Sequence, residues 1–270
     1  MDCKIMDLSY NSPLVKKFEE LIAKHTGSKY VVATNSGTSA LFLALKCLGV
    51  KMGDRVITQA YSFVATTNAI AYTGAIPMFT DVFLNGCMNY NNIKELKNKF
   101  TPKAIVCAHL YGSSCDMDEI LKYNIPVVED AAQGFNCFRN MKHLGTIGKA
   151  GALSFNGGKL LFTGGGGAMI TNDKDMYDYA QYLSTTAKNY DKAIYYHEEI
   201  GYNLKMCGVV AKFAIKQYKT LKANNFVKDK IDKSPYQNIA NFPPYQKCIR
   251  TELSMTDYLA EHGKAWAYVQ

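Results

Sequence analysis

The sequence predicts an α/β protein of three layers built on a mainly parallel sheet. Two observations carry that prediction. From Asp7 to about Lys222, short β-branched or apolar runs alternate with helical patterns, the rhythm of repeated strand-helix-strand units. Over 270 residues, 48% are hydrophobic and 20% charged, with a mean hydropathy of −0.15, the composition of a folded chain with a sizeable core.

The first strand is Lys29-Tyr30-Val31-Val32-Ala33-Thr34, ending in a turn, and the run from Ser39 to Leu48 is a buried helix stopped by Gly49. Arg55 to Thr58 is the next strand. A helix from Ala65 to Tyr72 closes at Gly74, and Pro77 to Thr80 begins another extended segment. Ala104 to Ala108 and Pro126 to Glu129 read as strands on either side of a helical segment from Met117 to Tyr123. Ala152 to Phe155 and Ala168 to Thr171 bracket a glycine-rich loop. After Lys222 the periodicity breaks at Asn224-Asn225, Asp232 to Pro235 and Asn241 to Pro244. The expected division is therefore 1–222 as one large domain and 223–270 as an irregular remnant or replacement of a second, smaller one.

No run approaches the ~18 to 20 apolar residues of a membrane span, and Asp2, Lys4 and Asp7 stand where a signal peptide would be turning apolar. A cytoplasmic protein without a membrane partner is expected. The eight cysteines contain no C-x-x-C pair, and Cys107, His109 and Cys115 match no common zinc spacing, so reduced core thiols and no metal are expected. A net charge of +8 favours an anionic ligand. Lys205, Lys212, Lys216 and Lys219 form the tightest acid-free run, but the last three recur at i, i+4 and i+7, which reads as a solvated helix face and not as a nucleic-acid stripe.

Three stretches could carry chemistry. Asn35-Ser36-Gly37-Thr38-Ser39 lies between a strand and a helix, where N–H groups without helical acceptors, a close-approach glycine and several hydroxyls suit a phosphate; simple helix capping is the alternative. Glu129-Asp130-Ala131-Ala132-Gln133 ends a buried strand, placing Asp130 and Gln133 at its ligand-facing carboxyl end, although an Asp there also caps helices. Lys159 sits between glycine pairs in Ser154-Phe155-Asn156-Gly157-Gly158-Lys159, unlike a solvated surface lysine. A dinucleotide loop fails because the glycine run leads into a strand, and a P-loop fails because no Ser or Thr follows Lys159. Together, an amine, a carboxylate and phosphate donors answer the needs of pyridoxal 5'-phosphate. Desolvation among glycines lowers a lysine pKa in the direction that covalent attachment requires.

Asn35 to Ala40, Phe63 to Thr66, Glu129 to Gln133, Ser154 to Lys159 and Gly201-Tyr202-Asn203 resemble, in order, the signatures of the DegT-like nucleotide-sugar aminotransferases of pyridoxal-phosphate fold type I. Ser154-Phe155-Asn156-Gly157-x-Lys159, Thr163 to Gly167, Ser184 to Lys188 and His197-x-Glu199-Ile200-Gly201-Tyr202-Asn203 are similar to the branch acting on UDP-4-keto-6-deoxy-N-acetylhexosamines, as in bacillosamine and legionaminic acid pathways. The resemblance implies an aspartate-aminotransferase-like large domain. It also implies amino transfer from an amino acid, glutamate being the expected donor, to the 4-keto group of a nucleotide-linked deoxysugar used in cell-surface glycans. It implies that Lys159 bonds the cofactor and moves the proton, Asp130 pairs with the pyridinium nitrogen, Phe63 stacks on the ring and Gln133 bonds the ring oxygen. Gly37, Thr38 and Ser154 would hold the phosphate, Asn203 would reach the neighbouring subunit's cofactor in a homodimer, and Lys188 and His197 would face the sugar nucleotide.

Gly158 stands where the branch usually has Asn, and Lys205 where the family usually has Arg. Residues 223–270 are too few for the family's C-terminal small domain, so the cofactor half is expected intact and the small domain incomplete. The competing function is a relative that binds the cofactor, or dimerises, without turnover. A related dehydratase is disfavoured, since that branch replaces the lysine retained at 159.

Overall fold

The structure, a computed structural model, describes residues 11–189, 196–224 and 226. In chain order these form α1 (Pro13–Thr26), β1 (Tyr30–Thr34), α2 (Gly37–Cys47), β2 (Arg55–Gln59), α3 (Val64–Tyr72), β3 (Ile76–Thr80), α4 (Asn91–Lys99), β4 (Pro102–Ala108), α5 (Met117–Leu121), β5 (Val127–Asp130), a short hairpin of β6 (Phe138–Arg139) and β7 (Lys142–His143), β8 (Ala150–Ser154), β9 (Gly167–Thr171), α6 (Lys174–Ser184) and α7 (Gly208–Ala223). The remnant expected after residue 223 lies almost entirely outside the described residues.

Seven strands make one sheet in the order β1-β9-β8-β5-β4-β2-β3. The pairs β2 with β3, β2 with β4, β4 with β5 and β5 with β8 are parallel, while β9 runs antiparallel to both β8 and β1. The glycine-rich loop explains that reversal. It returns the chain directly from β8 without a crossover helix, and such a return fits only an antiparallel neighbour.

Alternation along the strands divides the core between the two faces of the sheet. Val32, Val128, Ala152 and Met169 pack with Leu41, Leu43 and Leu45 of α2 on one face. Val31, Ala33, Leu153 and Ile170 pack on the other with Phe18 and Ile22 of α1 and Ala211, Ala214 and Ile215 of α7. A third cluster joins Ile57, Ile105 and Val127 to Ile93 of α4 and to Met117 and Ile120 of α5. Helix α2 buries Ala40 to Leu45 without interruption, because α3 and α6 cover the sides that the sheet leaves open. Shaving Leu43 to alanine would cost about 2–5 kcal/mol.

Helix α1 received no prediction, although its ends are clearly marked. Ser12 accepts the Leu14 N–H at 3.2 Å, Pro13 opens the first turn, and Gly27 ends the helix at φ 76°. Val15, Phe18 and Ile22 then fall on one buried face. Helices α4 and α6 and the β6–β7 hairpin were likewise unassigned. The expected solvated face of α7 shows Lys216 and Lys219 exposed. Lys205 does not belong to it: its Nζ is buried, 2.7 Å from Glu19 Oε1 and 2.9 Å from Gln181 Oε1. Cys87, Cys107 and Cys115 are buried free thiols, whereas Cys3 and Cys248 lie outside the described residues.

Candidate active site

Parallel strands that point the same way deliver their carboxyl ends, and the loops after them, to one edge of the sheet. Here that edge holds a cavity of about 540 Å³. It is lined by Gly37, Thr38, Phe63, Asp130, Gln133, Ser154 and Lys159, so seven of the predicted site residues, drawn from four separate segments, share one space.

The start of α2 forms one wall. Ser36 caps the helix by accepting the Ser39 N–H at 3.0 Å, and its Oγ lies 2.8 Å from Ser39 Oγ. The first N–H groups of the helix have no acceptor within it and carry the positive end of its dipole. Close approach of β8 favours glycine at position 37, where a Cβ would stand 2.7 Å from Ser154 Cβ. Gly167 is pressed equally close, since a Cβ there would lie 2.5 Å from the Gly37 nitrogen. The ends of β1, β8 and β9 therefore meet at this helix start, with Ser154 beside it.

Asp130 ends β5 and is held before any ligand arrives. Thr66 Oγ1 donates to its Oδ2 at 2.6 Å and the Ala132 N–H to its Oδ1 at 3.1 Å. Both contacts fix the direction in which the carboxyl group faces. Gln133 Oε1 accepts the Tyr111 N–H at 2.5 Å, which leaves the amide's donors for the cavity. Phe63, directly before α3, lines the cavity and remains 52% exposed.

Lys159 belongs to the loop between β8 and β9. That loop is closed by Thr163 N to Phe155 O at 2.7 Å, Phe155 N to Gly166 O at 2.9 Å and Lys159 N to Asn156 O at 2.9 Å. Burial pushes the Lys159 amine below its ordinary pKa, while the nearby Asp130 carboxylate pulls in the opposite direction. Gly158 beside it has open space where a side chain would project.

The other predicted residues lie elsewhere. Asn203 is exposed, and its backbone is fastened to the residues that follow β1 and α6: its carbonyl accepts from Asn35 Nδ2 at 3.3 Å, and it bridges Thr185. Lys188 and His197 bridge each other antiparallel, with His197 Nδ1 2.8 Å from the Thr186 carbonyl, and neither lines the cavity. Sequence reasoning gave no role to Thr66, Tyr111 or the His109–Glu129 contact at 2.8 Å. Thr66 stood within a quoted motif. The other contacts arise where the loop after β4 folds onto β5, which no local pattern shows.

The donor set fits pyridoxal 5'-phosphate: a depressed amine, an anchored carboxylate, an oriented amide, an aromatic face and N–H groups at a helix start, all on one cavity. Among the described residues, no group of three or more His, Cys, Asp or Glu side chains could hold a metal ion.

The chain resembles known aminotransferases in sequence and in fold. The chain is 39% identical over 220 residues to the putative pyridoxal phosphate-dependent aminotransferase EpsN of Bacillus subtilis, covering 77% of this chain and 56% of that protein. It is 35% identical over 229 residues to the GDP-perosamine synthase of Escherichia coli O157:H7, covering 83% and 62%. Among solved structures, a DegT DnrJ EryC1 StrS aminotransferase from Brucella abortus superposes with a TM-score of 0.74 at 28% identity, covering 79% of this chain and 60% of that one. The chain thus spans roughly three-fifths of the length of these relatives. The profile of the DegT/DnrJ/EryC1/StrS aminotransferase family matches residues 6–262. By sequence and fold, the chain belongs to the DegT/DnrJ/EryC1/StrS aminotransferase family.

Proposed function

We propose that this cavity holds pyridoxal 5'-phosphate on Lys159 and moves an amino group from an amino acid, glutamate in our reading, to the 4-keto group of a nucleotide-linked deoxysugar. The observation that carries the proposal is the meeting of Lys159, Asp130 and the α2 start on one cavity. The nucleotide-sugar part draws on relatives such as the GDP-perosamine synthase, and on the match of Ser184 to Lys188 and of His197 to Gly201 to the UDP-sugar branch. We place the reaction in the cytoplasm, the compartment of activated sugars; among the described residues no helix is long and apolar enough to cross a membrane.

When bound, the cofactor supplies an aldehyde carbon for an amine to bond and a ring that spreads an electron pair. The protein supplies everything else. The Gly37 and Thr38 N–H groups with Ser154 Oγ bind the phosphate, and the helix dipole adds to that attraction. Asp130, fixed in place by Thr66 Oγ1 and the Ala132 N–H, would accept a hydrogen bond from the protonated ring nitrogen and so favour positive charge there. Phe63 covers one ring face and sheds water from it. Lys159 Nζ, neutral at a lower pH than a free lysine, accepts a proton from one carbon and returns it to another. In our reading Asn203, exposed on its strap, reaches the cofactor phosphate of a second subunit, and Lys188 and His197 face the sugar nucleotide.

A second reading is a protein that binds the cofactor, or dimerises, without turnover. It draws on the position of Lys188 and His197 outside the cavity. Spectral titration separates the two. Amino transfer predicts that glutamate shifts the visible cofactor band to the amine form and that a UDP-4-keto sugar restores it. A band that glutamate leaves unchanged contradicts turnover.

A further inference from the structure

We propose that His109 is a positioning residue: fixed between Cys115 and Glu129, its imidazole holds the 109–115 turn in the shape that aims the Gln133 amide into the cavity. The inference rests on the reading of that cavity as the cofactor site.

His109 is 1% exposed, and neither side chain of the His109–Glu129 pair has any accessible surface. The Cys115 N–H donates to His109 Nδ1 at 3.1 Å, so Nδ1 carries no proton and the ring is the Nε2–H tautomer. That proton goes to Glu129 Oε2, 2.8 Å away. Glu129 is a firm acceptor, because the backbone N–H groups of Gly145 at 2.8 Å and of Ile147 and Gly148 at 2.6 Å complete its shell. Burial alone would raise its pKa, but the hydrogen bonds, that from His109 foremost, outweigh it and hold the carboxyl below the usual range. The imidazole therefore ties two loops together through an ionised anchor, and the wrong tautomer would set a bare nitrogen against the carboxylate and an N–H against the Cys115 N–H.

The tie reaches the cavity along the chain. The His109 N–H donates to the Asp130 carbonyl at 3.0 Å, which fixes the turn to the end of β5. Two residues on, Tyr111 stands at φ 55°, a left-handed conformation that a non-glycine residue adopts only under constraint. In this conformation its N–H meets Gln133 Oε1 at 2.5 Å. A carbonyl must accept that bond, so the amide can take only one orientation, with its NH₂ toward the cavity. Were the turn to relax, the amide could rotate and present its carbonyl, an acceptor, to an anionic ring oxygen.

Two substitutions separate positioning from mere filling. His109→Leu neither accepts from Cys115 nor donates to Glu129, whereas the amide of His109→Gln can do both. Hydrogen exchange of the cofactor-free protein and the dissociation constant for pyridoxal 5'-phosphate are the readouts. His109→Leu is expected to speed exchange at the Tyr111 and Cys115 amides, and to weaken cofactor binding, by about tenfold each. His109→Gln should bring both within about threefold of the wild-type values. A folded His109→Leu protein with wild-type Tyr111 exchange and wild-type affinity overturns the proposal, as does equal loss in both variants. Should His109→Leu not fold, Gln133→Leu and His109→Gln carry the test: the first must speed Tyr111 exchange and the second must not. A wild-type protein that takes up no cofactor refutes the reading of the cavity, and Tyr111 exchange then still decides the role of His109.

Discussion

Asp130 has both carboxylate oxygens engaged from the protein side, by Thr66 Oγ1 and the Ala132 N–H. Its aim is thus built into the fold. Thr66→Val keeps the shape and removes a bond to a charged group, so unfolding titrations should show a loss of about 1.5–3 kcal/mol. Asp130→Asn should leave the melting temperature nearly unchanged yet cut turnover by about 100-fold or more, because the amide cannot hold positive charge at the ring nitrogen. Unchanged turnover would remove Asp130 from the chemistry. Gly37→Ala forces a methyl against Ser154 Cβ and should destabilise the chain by about 1–3 kcal/mol, read by the same titrations. These site residues were legible in the sequence because each is a local signal: a strand running into glycine, a strand ending on a carboxylate, a lysine flanked by glycines. Thr66, Tyr111 and His109 were not, since each acts on a residue that only the tertiary fold brings near.

At the scale of elements, the segment 203–206 lies antiparallel alongside the carboxyl end of β1, where Lys205 bridges Thr34. The Asn35 N–H donates to the Leu204 carbonyl at 2.8 Å and the Met206 N–H to the Ala33 carbonyl at 3.1 Å. Lys205 secures this strap from below through Glu19 of α1 and Gln181 of α6. Both charges are nearly buried, at 5% and 11% side-chain exposure, so removing one strands the other. Lys205→Ala should cost about 3–5 kcal/mol, whereas replacing the pair together with Met and Leu should cost far less. Equal costs in the two proteins would show that the pair contributes only packing. The strap was not predicted as extended chain, because its residues lack alternation and draw their partners from β1. Helix α1 was not predicted either, although Ser12, Pro13 and Gly27 mark its ends in the sequence itself.

The whole molecule should lose stability in acid, for two reasons of the same sign. Burial, reinforced by the nearby His25, lowers His143 to about 3 from an ordinary 6.5. Between those values the unfolded chain takes up a proton that the folded chain refuses, so stability falls as the pH drops through that window. Glu129, held below its ordinary pKa, adds stability that is present above the usual carboxylate range and is lost as pH falls through its folded value. Denaturant titrations at a series of pH values should therefore show a decline below pH ~6.5 that is shallower in His143→Leu. An identical slope in that variant would rule out the histidine as a cause.

The same view of the whole molecule explains why so much of the large domain could be read in advance. Alternating strands and helices dictate a parallel sheet, and a parallel sheet collects its loops at one edge, so residues far apart in sequence had to converge. The reversal at β9 and the contacts beneath the cavity needed the structure. All of the proposed chemistry passes through Lys159 Nζ. Borohydride reduction of the protein with pyridoxal 5'-phosphate, followed by peptide mass mapping, should find the cofactor's mass on the peptide that holds Lys159, and no such product in Lys159→Ala. A label at another lysine, or none, would contradict the assignment of this cavity.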